Sequence, residues 1–121
     1  MPHCILEYSD NIIDRVNKKQ LLLKINQMLA DTGLFKINDI KSRVIKHQDY
    51  VMGDGNPSNT FVSLNICILD GRSKEVKQNI SQNALKLLKK EYTKSLEQTR
   101  CSITVRVTEM EKESYQKATS Y

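Results

Sequence analysis

The run Thr60-Phe61-Val62-Ser63-Leu64-Asn65-Ile66-Cys67-Ile68-Leu69 places Val62, Leu64, Ile66 and Ile68 at every second position. In an extended chain alternate side chains share a face, so one side of this segment is expected to be buried and it reads as a strand. Asp70-Gly71-Arg72-Ser73 follows as a turn, with Ser73 placed to cap the next element. Val76, Ile80, Ala84, Leu87, Leu88, Tyr92 and Leu96 then recur at steps of three and four, predicting one helix that runs to about Leu96. A further strand, Ser102 to Met110, turns Ile103, Val105 and Val107 inward and completes a β-α-β unit.

The upstream half repeats the plan. His3 to Ser9 alternates, with Cys4, Leu6 and Tyr8 on one face and His3, Ile5 and Glu7 on the other. A helix is predicted from about Lys18 to Asp31, capped by Asn17 with Gln20 three residues on, and striped by Leu21, Leu22, Ile25, Met28 and Leu29. Gly33 is placed to end it in a left-handed cap. A second strand is predicted over roughly Asp39 to Lys46, with Ile40, Ser42 and Val44 opposite Lys41, Arg43 and Ile45. The Gly53, Gly55 and Pro57 stretch reads as a loop.

Two such units, each crossing over right-handed, give an α+β fold: a four-stranded sheet with two helices on one face. The other face would stay bare, and because it includes Ile5 and Phe61, a second subunit is expected to cover it. With 121 residues, 39% of them apolar, the chain is expected to be a single domain over 1–121. Its core would span about 2–110, and the polar tail 111–121 would pack on a neighbour or fray.

Composition narrows the partners. Glu7, Asp10, Asp14 and Arg15 interrupt the first sixteen residues, so no signal peptide is recognised, and no run is long enough for a membrane span. Cys4, Cys67 and Cys101 are odd in number and widely spaced, which fits reduced thiols and a cytoplasmic location. The formal charge of +5 suits an anionic partner or simply a soluble surface. Nucleic acid is not expected, because a sheet that stacks bases needs aromatic residues on its central strands, and the run from Thr60 offers only Phe61. No cluster has metal-ligand spacing, and no cofactor is expected.

The candidate chemistry starts at Pro2. Cytosolic processing removes an initiator Met that precedes a small residue, and Pro2 would then carry a free secondary amine. Burial and nearby cations lower the pKa of such an amine toward neutrality, where it serves as a general base. With Met1 retained, Pro2 is a non-basic amide. Arg72 lies where the third strand gives way to the second helix, a position suited to a carboxylate or an oxyanion and equally to an ordinary surface arginine. Lys41 and Arg43 share one strand face; they can hold an anionic substrate or simply face solvent. His3 and His47 are isolated in sequence, and His3 is expected to play a structural part. Glu7, inside a strand, needs a donor beside it.

Several segments together carry a resemblance: Pro2-His3 with Glu7-Tyr8-Ser9-Asp10-Asn11, Thr32-Gly33-Leu34-Phe35, Ile40-Lys41-Ser42-Arg43, Asp54-Gly55, Phe61-Val62 and Gly71-Arg72-Ser73. In this order and spacing the chain resembles the 5-carboxymethyl-2-hydroxymuconate isomerase family of the tautomerase superfamily, over almost its whole length. The resemblance implies a β-α-β-β-α-β subunit in a homotrimer and a cofactor-free isomerase acting in the breakdown of homoprotocatechuate. It further implies Pro2 as the base and Arg72 as the residue that binds a carboxylate or polarises the developing oxyanion. Lys41 stands where the family pattern has an arginine, with Arg43 two residues on, and the pair would hold the far end of a small dicarboxylate. Lysine lacks the arginine fork, so this departure bears on the substrate more than on the reaction. The tail is shorter than the resemblance implies. Two other readings stay open: a broad keto–enol tautomerase of phenylpyruvate-like acids, and a ferredoxin-like module that binds a ligand without turning it over.

Overall fold

The structure, a computed structural model, describes residues 1–121. The elements are β1 (His3–Ser9), α1 (Lys18–Asp31), β2 (Lys41–His47), β3 (Asn59–Leu69), α2 (Lys74–Glu91), α3 (Thr93–Gln98) and β4 (Arg100–Met110). They build one sheet in the order β2-β1-β3-β4. The outer pairs β1–β2 and β3–β4 are parallel, and the central β1–β3 pair is antiparallel. Two β-α-β units thus meet back to back through their first strands.

The strict alternation of β3 is realised in full, since Val62, Leu64, Ile66 and Ile68 are buried on one face together with Cys4 and Leu6 of β1. Against them lie Leu21, Ile25 and Leu29 of α1 and Ile80, Ala84 and Leu88 of α2, which puts both long helices on the same side of the sheet. A fully buried leucine or isoleucine contributes about 2 kcal/mol through removal of apolar area from water, so this layer supplies most of the driving force for folding. The opposite face carries Ile5 and Phe61 half-buried and Ile45 exposed.

Local chemistry sets the helix ends. The Asn17 side chain accepts the Gln20 N–H at 3.1 Å, and the Ser73 hydroxyl accepts that of Val76 at 3.2 Å. Gly33, at φ +77°, turns the chain out of α1 while its N–H reaches the Ala30 carbonyl.

Three expectations need correction. The helix predicted to run to Leu96 breaks at Tyr92 (φ −113°, ψ 33°) into α2 and α3. The cause is distant in sequence: the Asp14 carboxylate accepts the N–H groups of Lys94 and Ser95, both at 2.9 Å, and so starts a new helix there. The second strand begins at Lys41 rather than Asp39, because Ile37–Asp39 forms a single 3-10 turn. The tail does not fray. It folds back over its own N-terminal edge, where Tyr115 meets His3, Lys117 pairs with Asp39, and the Tyr121 hydroxyl donates to the Asn38 carbonyl.

Candidate active site

Strand register brings the two units together at one end of the sheet. The Pro2 carbonyl accepts the Lys41 N–H at 3.0 Å, which carries the β1–β2 pairing one step beyond His3. On the other side of β1, His3 faces Cys67, so the last residues of β3 and the turn after them pass the chain's N-terminal residues. Arg72 of that turn and Met1 therefore line the same cavity, of about 430 Å³. Its remaining wall comes from Leu34, Phe35 and Lys36 after α1, and from Asp39, Asp70 and Lys112.

The guanidinium of Arg72 lies in the wall of this cavity. One Nη donates to the Leu34 carbonyl at 3.3 Å, and the group lies 5.5 Å from the Phe35 ring centroid, a cation–π contact. Most of its N–H donors stay available to a ligand.

At the other wall the Met1 amine donates to the Asp39 carbonyl at 2.6 Å, and the Lys41 ammonium reaches the same oxygen at 3.3 Å. An amine here is held below its ordinary pKa. Burial does most of this, and the like charges of Lys41 and Lys117 add to it, against a weaker opposite pull from Asp39 and Cys4. Pro2, the next residue, is buried, and Met1 rather than Pro2 lines the cavity. Asp39 has two partners: its carbonyl takes the amines, while its carboxylate, 3.2 Å from Lys117, is held below its usual pKa by that hydrogen bond.

Of the residues singled out in the sequence, Arg72 lines the cavity, Lys41 borders it through Asp39, and Pro2 is buried next to Met1, which lines it. Arg43 is not among them. It lies on the open face of the sheet, where its Nη1 is 3.3 Å from Nδ1 of His3. That contact makes Nδ1 the acceptor and leaves Nε2–H to face the Tyr115 hydroxyl at 3.1 Å. Burial first and Arg43 second push the His3 pKa down, so its imidazole is neutral and fastens the tail to the sheet. Glu7 has the partner its position required, His47 at 2.9 Å. Phe35, Lys36, Asp39, Lys112 and Lys117 were not singled out. Only Phe35 had a signal in the sequence, as part of the Thr32–Phe35 segment. No group of histidine, cysteine and carboxylate side chains is placed to hold a metal.

Comparison with known proteins identifies the class first. The subunit has the tautomerase fold: a fused 4-OT wild-type symmetric trimer superposes with a TM-score of 0.75 at 12% identity, covering 96% of this chain and 91% of that one. A crystal structure of a 5-carboxymethyl-2-hydroxymuconate isomerase from Deinococcus radiodurans R1 gives a TM-score of 0.89 at 28% identity, covering 97% of this chain and 88% of the other. The Escherichia coli 5-carboxymethyl-2-hydroxymuconate Delta-isomerase is 32% identical over 110 residues, 91% of this chain and 87% of its own. The sequence model for 5-carboxymethyl-2-hydroxymuconate isomerase matches residues 2–121. The chain belongs to the 5-carboxymethyl-2-hydroxymuconate isomerase family, and it is an isomerase of the tautomerase superfamily.

Proposed function

We propose that removal of Met1 frees the Pro2 nitrogen as the general base of a cofactor-free isomerase, and that the substrate is 5-carboxymethyl-2-hydroxymuconate. The observation that carries this reading is the setting of the terminal amine. It is partly buried, has the charges of Lys41 and Lys117 near it, and belongs to a residue that lines the same cavity as Arg72. Without Met1, the Pro2 nitrogen takes over that setting and the cavity gains the volume of the lost side chain.

In the proposed reaction, neutral Pro2 takes a proton from the enol hydroxyl or from a carbon next to the carbonyl. Negative charge spreads through the conjugated system onto an oxygen that the Arg72 guanidinium stabilises. Prolinium then returns the proton to another carbon, which gives the isomerised ketone. The compound has three carboxyl groups, two on the muconate chain and one on the carboxymethyl arm. That is one more than the two-ended diacid expected from the sequence. Arg72 supplies a cation in the cavity wall, and Lys41 a second one beside Asp39 at its border. Arg43, engaged with His3 on the open face of the sheet, would meet a carboxylate there and not in this cavity. The half-buried apolar residues of the open sheet face support a homotrimer, and the three free cysteines support a reducing cytoplasm. No helix is long and apolar enough to cross a membrane.

The test is an enol-to-ketone assay with 5-carboxymethyl-2-hydroxymuconate and with phenylenolpyruvate, on the wild type and on Pro2→Ala. Preference for the polyacid, with a large loss in the variant, supports the reading. Equal or better turnover of the monoacid replaces it with the broad tautomerase.

A further inference from the structure

We propose that Lys112, delivered by the C-terminal tail, is a substrate-binding residue that forms with Arg72 a two-cation subsite for a carboxylate. This rests on the reading of the cavity as the isomerase site.

The placement follows from strand register. Leu69 pairs with Met110 at the shared end of the parallel strands β3 and β4, and the Asp70 N–H donates to the Met110 carbonyl at 2.9 Å. Asp70-Gly71-Arg72 and Glu111-Lys112 must therefore leave the sheet side by side. The 3-10 turn Lys112–Ser114 then fixes the direction of the lysine, which crosses the face of Gly71 and enters the cavity wall. A Cβ at position 71 would lie 3.3 Å from the Lys112 ammonium, and Gly71 sits at φ +107°, where a side chain would be strained in any case. Glycine at this turn both permits the backbone and leaves the lysine room to lie beside Arg72.

The ammonium has no carboxylate within ion-pair distance. The two acids of the cavity do not serve it, because Asp39 is paired with Lys117 and Asp70 forms no ion pair. Glu109, three residues back in β4, is paired with Lys77 at 2.5 Å. Lys36, Arg72 and Lys112 thus outnumber the carboxylates facing the cavity. Unpaired cations converging on a concave site match the three negative charges of the proposed substrate. The tail's other attachments, Tyr115 to His3 and Lys117 to Asp39, hold the segment that presents Lys112.

The test compares wild type, Lys112→Met and Lys112→Arg by two readouts. In steady-state kinetics with 5-carboxymethyl-2-hydroxymuconate, Lys112→Met is expected to raise KM about ten-fold with kcat within about two-fold, and Lys112→Arg to recover most of the loss. In an NMR titration with trans,trans-muconate, an unreactive dicarboxylate, affinity should fall by a similar factor. A KM and a muconate affinity unchanged in Lys112→Met overturn the proposal while the isomerase reading stands. Lys112-dependent muconate binding without turnover by the wild type keeps the subsite and removes that reading. A variant that loses kcat and thermal stability together shows a structural role for Lys112 and overturns the proposal.

Discussion

Tyr92 offers a prediction that runs against the usual cost of core substitutions. Its ring is buried at the junction of α2 and α3, 1% exposed, and its hydroxyl oxygen has no hydrogen-bond partner. An unpaired buried hydroxyl costs about 1–3 kcal/mol of desolvation, and Tyr92→Phe removes it while keeping the ring that fills the space. The variant should be more stable by about 1 kcal/mol, since the ring loses a few contacts along with the oxygen. For a chain of this length, unfolding entropy near 2.1 cal/mol/K per residue converts that into a rise of about 4 °C in Tm. Alkaline pH sharpens the test. Burial raises the phenol pKa, so above pH ~10 the unfolded chain releases this proton and the folded chain does not. The stability tied to the neutral phenol is complete below that pH and is lost as pH rises, and Tyr92→Phe should flatten the decline. Chemical denaturation of both proteins at pH 7 and at pH 10.5 measures both effects. A Tyr92→Phe chain less stable by 1 kcal/mol or more at pH 7, with an unchanged alkaline slope, would refute the reasoning.

Three further outcomes follow from the same structure. Lys41→Met removes a cation that lowers the terminal amine's pKa, so the acid limb of the kcat/KM profile should move to higher pH and activity below neutrality should fall; a limb that stays in place or moves down contradicts this. Arg72→Ala should lower kcat/KM by about 10²–10³, with Arg72→Lys only a partial rescue, because one ammonium cannot reproduce the fork held over Phe35 and the Leu34 carbonyl. Leu64→Ala, in the middle of the buried face of β3, should cost about 3 kcal/mol in urea denaturation without changing the terminal amine's pKa.

The parts of the fold legible in the sequence are those set by local pattern. The period of two in β1 and β3 and the caps at Asn17 and Ser73 depend on neighbours within a few residues, and the structure has them where the pattern puts them. The break at Tyr92 was invisible because the apolar spacing continues through Leu96, whereas the groups that start α3 belong to Asp14. The site divides in the same way. Pro2 and Arg72 could be singled out from their places at a terminus and a turn. Asp39 and Lys112 could not, because their relevance depends on the β1–β2 pairing and on the shared end of β3 and β4. Arg43 looked like a partner of Lys41 because both share a strand face. The two diverge because the Lys41 ammonium turns to the Asp39 carbonyl at the strand's end, whereas Arg43, opposite Ile5 in the register, has its guanidinium against His3.

The central claim concerns a single nitrogen, and one comparison isolates it. The kcat/KM of the chain beginning at Pro2 is measured against that of the same chain with an uncleaved residue ahead of Pro2, each confirmed by intact mass, with 5-carboxymethyl-2-hydroxymuconate as substrate. As an amide the nitrogen cannot accept a proton, so the account predicts a loss of at least about 10²-fold in the extended chain, the scale of general-base catalysis. Equal rates in the two chains would contradict it and remove Pro2 as the base.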